Sequence, residues 1–279
     1  MHRRILGVLA AAFLGAAAIT AGPSTASAAP APAKAAVDFT GIVALSNCSG
    51  SLVRAPGAAD GDPALVLTNG HCYEGGMPGA GQVITNRSSS RSFTLLNPSG
   101  SGSLGTLRAT AMLYATMTDT DVALYKLNRS YASIRQSYGV PALELSLQHP
   151  AAGTDLRVVS GYWRRIYSCR LDGFAYRLRE SQWTWKDSLR YTSECDTIGG
   201  TSGSPVVDAA SGKVIGANNT LNESGQRCTL NNPCEVDQSG NVTVHEGIGY
   251  AQETYILAAC IAPGSVIDYN RPGCLVPRG

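Results

Sequence analysis

The sequence predicts an all-β protein made of two β-rich halves, and three observations carry that prediction. From Phe39 onward the chain runs in short apolar stretches broken by Gly, Pro, Asn and Ser. Sustained 3.6-residue periodicity is nearly absent. A connector carrying Pro141 and Pro150 separates two clusters of these stretches.

In the first half, strands are expected over 41–45, 51–54, 65–68, 83–85, 93–96, 104–110 and 122–127. Each is a run of β-branched, aromatic or aliphatic residues with turn formers on either side. Residues 129–153 read as the connector. Strands resume over 156–160, 174–178, 183–185, 206–207, 214–215 and 242–244. One short helix is expected over 254–261, ended by Pro263-Gly264.

The first residues read as a secretory signal. His2-Arg3-Arg4 supplies the positive start, an alanine-rich apolar stretch over 5–19 follows, and Ala26-Ser27-Ala28 fits the small-residue cleavage rule. The expected organisation is a signal peptide over 1–28, a leader or short propeptide over 29–38, and one folded domain over 39–279. Within that region the halves fall at about 39–128 and 154–279. The protein is therefore expected outside the cell, as a monomer, with no membrane contact after signal removal.

Charge excludes some partners. The chain has 22 Lys and Arg against 20 Asp and Glu, and the signal removes Arg3 and Arg4, leaving the two signs equal. No basic run exists, which argues against nucleic acid. All eight cysteines, Cys48, Cys72, Cys169, Cys195, Cys228, Cys234, Cys260 and Cys274, follow the signal. An even number in an exported chain predicts disulfides. With no Cys-x-x-Cys pair and no His-Glu-x-x-His, neither a metal nor any other cofactor is expected.

The residues that carry chemistry are three segments far apart in the chain. Gly200-Thr201-Ser202-Gly203-Ser204-Pro205 sets a serine in a glycine-rich turn, where main-chain N–H groups can approach a substrate carbonyl. Ser202 is the candidate nucleophile and needs a base within reach. His71, in Leu67-Thr68-Asn69-Gly70-His71-Cys72, is the candidate base, chosen over His149 in the connector and His245 in a polar strand. Asp121 is the candidate carboxylate that orients the imidazole, preferred over Asp119 because it abuts the apolar run 122–127. The N–H groups of Gly200 and Ser202 are the candidate oxyanion donors.

Together these segments resemble the chymotrypsin-like, or trypsin-like, serine peptidases, in particular secreted bacterial members. Cys48-Ser49-Gly50-Ser51-Leu52-Val53 resembles the strand leading to that family's histidine. Thr68-Asn69-Gly70-His71-Cys72 resembles its histidine box, with Gly70 where alanine is common. Asp121-Val122-Ala123-Leu124-Tyr125-Lys126-Leu127 resembles its aspartate strand, and the Ser202 hexapeptide its serine box. The resemblance runs from about Phe39 to Ile261.

It implies two six-stranded antiparallel β-barrels with the site between them and a short C-terminal helix. It also implies endopeptidase chemistry on protein or peptide substrates through an acyl-enzyme, and a Cys48–Cys72 disulfide. Proximity in sequence pairs Cys169 with Cys195, Cys228 with Cys234 and Cys260 with Cys274, with Cys195–Cys228 as the competing bridge.

Two departures matter. Thr201 stands where many animal members carry an aspartate that pairs with a new N-terminal ammonium, and no Ile-Val-Gly-Gly precedes the first barrel. Activation through that ion pair is therefore not expected. Asp196 lies six residues before Ser202, the offset at which trypsin-type members hold the aspartate that selects Arg or Lys. Ala217, Asn218 and Asn219 are expected to line the substrate-binding strand, and Asn218 stands near the position where glutamyl endopeptidases carry a histidine.

Two other readings are open at this level. An esterase of the α/β class needs Gly-x-Ser-x-Gly with its histidine after the serine, and Ser204 and the upstream His71 do not fit that pattern. A secreted binding protein on the same fold needs no intact site.

Overall fold

The computed structural model describes residues 37–279. The expected signal peptide and most of the expected leader lie outside the described residues.

The first half contributes β1 (Ile42–Ala44), β2 (Ser49–Arg54), β3 (Pro63–Thr68), β4 (Val83–Ser88), β5 (Ser92–Leu96), β6 (Ser103–Thr116) and β7 (Val122–Ser130). Then come α1 (Tyr131–Tyr138) and β8 (Leu143–Glu144). Six of these strands close on themselves, in the order β1, β5, β6, β7, β3, β2 and back to β1, all antiparallel. β4 extends the sheet from β6, and β8 lies parallel to β2.

The second half contributes β9 (Asp155–Ser160), β10 (Arg165–Glu180), β11 (Trp183–Tyr191), β12 (Pro205–Asp208), β13 (Val214–Leu221), β14 (Cys234–Val236), β15 (Val242–Thr243) and β16 (Gly249–Glu253). Its ring runs β9, β12, β13, β16, β11, β10 and back to β9, with β14 and β15 appended to β10. α2 (Tyr255–Ala258) and the small hairpin β17 (Ile261–Ala262) and β18 (Val266–Ile267) end the chain. The fold is the expected pair of closed six-stranded barrels with two short helices.

Side-chain alternation explains why the strands of the first barrel read as continuous apolar runs. Ala64 and Val66 of β3, and Ala123, Tyr125 and Leu127 of β7, point into a core to which every strand of the first ring contributes. The intervening Leu65, Leu67, Val122 and Leu124 belong to a second core, shared with Val159, Val207, Val214 and Leu257 of the other half. Both faces are thus covered, and each fully buried leucine contributes about 1.5–3 kcal/mol of transfer free energy. Leu156, Val158, Leu171, Leu189, Val206 and Ile215 fill the second ring.

The structure departs from expectation in a few elements. α1 lies inside the expected connector. Ser130 caps it by accepting from the Ser133 N–H at 3.2 Å, and Gly139, at φ 72°, ends it with an N–H to Arg135 O at 2.9 Å. The C-terminal helix is one turn, Tyr255–Ala258, because Cys260 is bonded to Cys274 and the chain turns into β17. β6 and β10 are much longer than expected: β6 continues through the buried Met112–Thr116, and β10 begins with a stretch that alternates exposed polar with buried apolar residues. The four disulfides are Cys48–Cys72, Cys169–Cys195, Cys228–Cys234 and Cys260–Cys274.

Candidate active site

His71 sits on a single 3₁₀ turn, Gly70–Cys72, directly after β3. Asp121 immediately precedes β7, the neighbour of β3 in the sheet, and is fully buried. Its carboxylate grips the histidine twice. Oδ1 accepts from the His71 backbone N–H at 2.9 Å, and Oδ2 faces the ring Nδ1 at 2.7 Å. An ionised carboxylate only accepts, so Nδ1 carries the proton and the Nε2 lone pair is left for another partner. Burial alone would push the imidazole pKa down. The charge of Asp121 and its hydrogen bond override that, with a further contribution from the charge of Glu180, and hold it above the usual histidine value.

Gly70 has a steric cause. A Cβ there would lie 2.0 Å from Thr116 O and 2.9 Å from Asp121 Oδ1, so the alanine common at this place in the resembled family does not fit.

Ser202 belongs to the turn that leads into β12, in the second barrel. Its backbone is fastened to the first: Ser49 N–H donates to Ser202 O at 2.8 Å. Asn69, buried beside His71, reaches all three segments. Its Nδ2 donates to Asp121 O at 2.8 Å, and its Oδ1 accepts from the Gly203 N–H at 2.5 Å. Gly203, at φ 77°, has no room for a side chain, since a Cβ would meet Ser49 O and Thr68 Oγ1 at 2.2 Å each. The Ser202 hydroxyl makes one long bond, 3.4 Å to Asn219 O.

The turn before the serine is shaped by Thr201 N–H to Ile198 O at 3.1 Å, with Gly200 at φ 88°. The Thr201 hydroxyl donates to the same Ile198 carbonyl at 2.6 Å and accepts from Asn218 Nδ2 at 3.0 Å. Trp163 Nε1 holds Gly199 O at 2.8 Å from the other side. Among the described residues, neither the Gly200 nor the Ser202 N–H has a hydrogen-bond acceptor.

His71, Asp121 and Ser202 line one cavity with Asn218, Asn219, Trp183 and Trp185. Two expected substrate-binding residues are not on its wall. Asp196 is exposed: the Cys169–Cys195 disulfide and a tight turn, Thr197 N–H to Cys195 O at 2.6 Å, direct it outward. Ala217 is buried within the sheet, opposite Pro205 on one side and Gln252 on the other. Asp119, the rejected carboxylate, pairs with Lys186 Nζ at 2.7 Å on the surface.

The cavity also contains a carboxylate that the sequence did not single out. Glu180, at the end of β10, is 5 % exposed. Its oxygens accept from Thr220 Oγ1 at 2.6 Å and the Asn231 N–H at 2.9 Å. Burial pushes its carboxyl above the usual range, while those two hydrogen bonds and the nearby His71 oppose the shift. Glu223 lines the same cavity, and among the described residues no lysine or arginine does.

Comparison with known proteins turns this geometry into a family assignment. Residues 48–216 match the trypsin-like peptidase domain. The chain belongs to the trypsin-like peptidase family. No curated protein matches it. Among solved structures, this trypsin-like peptidase is similar to the active form of the Rv3671c protease from M. tuberculosis, at 16% identity over 85% of this chain and 82% of that one, TM-score 0.46. It is also similar to a Nocardiopsis protease, at 15% identity over 78% and 93%, TM-score 0.44. A third is the serine endoprotease from Yersinia pestis, at 13% identity over 80% and 62%, TM-score 0.44. By family and fold the chain is a serine peptidase, and peptides or proteins are its class of substrate.

Proposed function

We propose that this peptidase is a secreted endopeptidase that cleaves peptide bonds through an acyl-enzyme on Ser202. The observation that carries the reading is the double grip of Asp121 on His71, in the same cavity as Ser202. The Ser202 hydroxyl leaves its long bond to Asn219 O and gives its proton to His71 Nε2 as Oγ attacks the substrate carbonyl carbon. The imidazolium forms against Asp121, and the carbonyl oxygen, now negative, takes the N–H groups of Gly200 and Ser202. His71 then protonates the departing amine. Water, deprotonated by the same nitrogen, releases the acyl group.

Labelling the whole protein with a serine-directed phosphonate tests this. Stoichiometric modification of Ser202, found by mass spectrometry, is expected. Absence of labelling would favour a binding protein, and turnover of small esters without peptides would favour an esterase.

Export is supported by the signal-like start of the sequence and the four disulfides. Among the described residues, no helix is long and apolar enough to cross a membrane.

The same reading makes acid inactivation specific. Catalysis needs Nε2 unprotonated, and the imidazole pKa is raised, so kcat/KM is expected to fall with decreasing pH through a midpoint above the ordinary histidine value of about 6.5. A pH–rate profile on a neutral peptide checks it, and a midpoint below that value would contradict the role of Asp121.

A preference for Arg or Lys at the cleavage site is proposed on new ground, the acidic cavity wall of Glu180 and Glu223 rather than Asp196. In a peptide library, Glu180→Gln is expected to lower kcat/KM for basic relative to neutral residues by about tenfold, the scale of one lost charge-assisted contact. Asp196→Ser is expected to leave that ratio unchanged. Loss of the preference in Asp196→Ser alone would return the role to Asp196.

A further inference from the structure

A second cluster of chemistry lies away from the cavity, where the connector meets the second barrel. His149, in the connector, faces Asp187 on β11 and Glu253 at the end of β16. One ligand-capable atom from each lies within 4.8 Å of the others. None of the three lines the active-site cavity.

The hydrogen bonding leaves an unsolved electrostatic problem there. His149 Nδ1 is 2.8 Å from Pro150 O, an oxygen that only accepts, so Nδ1 carries a proton. In the neutral ring the Nε2 lone pair then faces two carboxylate oxygens, Asp187 Oδ2 at 3.0 Å and Glu253 Oε1 at 3.4 Å. A proton on Nε2 satisfies one of them, and Asp187 is the nearer. Glu253 remains the difficulty. It is 2 % exposed, and neither of its oxygens has a hydrogen bond. A buried carboxyl group with no hydrogen bond is costly.

A cation held by all three groups removes the conflict at once. One imidazole nitrogen and two carboxylates suit a first-row divalent ion, and a histidine whose other nitrogen donates to a carbonyl is the usual ligand arrangement. The spacing fits as well. Zinc bonds near 2.1 Å in a tetrahedron separate ligand atoms by about 3.4 Å, close to the 3.0 and 3.4 Å between Nε2 and the two oxygens. The side chains of His149 and Asp187 are 42% and 43% exposed, so an ion has an open path and a fourth position for water. Phe174 and Tyr255 pack against the His149 ring and hold it.

We propose that His149, Asp187 and Glu253 form a zinc-class divalent metal site that ties the inter-barrel connector to the second barrel. It is a structural cross-link, independent of the triad chemistry.

Equilibrium dialysis of the whole protein against zinc at neutral pH tests it. One zinc per chain is expected for the wild type, with affinity at least tenfold weaker in His149→Ala and in Glu253→Gln. Saturating zinc is expected to raise the wild-type melting temperature by on the order of 5 °C, a shift reversed by chelator. In chelator, Glu253→Gln is expected to melt no lower than wild type, because the neutral amide is nearly isosteric with a buried carboxyl group that makes no hydrogen bond; this shows that lost binding is not lost folding. No bound zinc in the wild type overturns the site, as does equal binding by both variants. Calcium binding in place of zinc overturns the zinc-class assignment.

Discussion

Replacing Ser202 with alanine is expected to lower kcat on a peptide substrate about 10⁶-fold while leaving the fold intact. The size follows from what one atom does in the proposed cycle. Without Oγ no acyl-enzyme forms, and the remaining rate comes from water attacking a carbonyl still polarised by the Gly200 and Ser202 N–H groups. At about 1.4 kcal/mol per factor of ten, the loss corresponds to roughly 8 kcal/mol of transition-state stabilisation. The structural cost is small by comparison. The hydroxyl makes one long bond, to Asn219 O, and the contact that fastens this turn to the first barrel runs through the Ser202 carbonyl, which alanine keeps. An unchanged melting temperature with lost turnover is the expected pair of results. Near-wild-type hydrolysis by the variant would remove Ser202 from the mechanism, and with it the peptidase reading of this cavity.

The elements that carry the proposed triad were readable because their physics is local. A histidine after an apolar strand, an aspartate at the head of another, and a serine among glycines each announce themselves over a few residues. The strands of the first barrel were readable for the same reason, since both faces of β3 and of the Val122–Tyr125 stretch of β7 are buried and apolar residues follow one another there.

What stayed hidden depends on approach in space. Asn69 is two residues before His71, yet nothing in its neighbours reveals that it bridges Asp121 and Gly203, which lie 52 and 134 residues away. Gly70 is required by a carbonyl of Thr116 that only folding brings near. Glu180 ends a long polar hairpin and became a cavity residue because Thr220 and Asn231 fold over it. His149, Asp187 and Glu253 have no motif spacing because three separate segments supply them. α1 is the exception. Ser130 and Gly139 are ordinary start and stop signals, and its shortness beside the connector's prolines hid it.

Asp121→Asn separates orientation from mere proximity, and it is expected to lower kcat about 10⁴-fold. The carboxylate now accepts two hydrogen bonds from His71, one from the backbone N–H and one from the ring Nδ1–H. An asparagine has one accepting oxygen. If that oxygen keeps the backbone N–H, the NH₂ group turns towards Nδ1, which must then accept, and the proton moves to Nε2. The base now presents a proton where it should present a lone pair. If the amide flips, the backbone N–H of His71 faces an NH₂ group in a buried site and the turn carrying the histidine is disturbed. Either arrangement stops proton transfer from Ser202. The loss of negative charge also removes what holds the imidazole pKa up, so residual activity is expected to survive to lower pH than in the wild type. Asp119→Asn is the matched control. That side chain is 38% exposed and pairs only with Lys186, itself 56% exposed, on the surface, a contact worth about 0–1 kcal/mol at most, and its backbone sits at φ 60°, which asparagine tolerates. Turnover within about twofold of wild type is expected there. A severe loss in Asp119→Asn beside a mild one in Asp121→Asn would transfer the orienting role to the surface carboxylate and break the link between the double grip on His71 and catalysis.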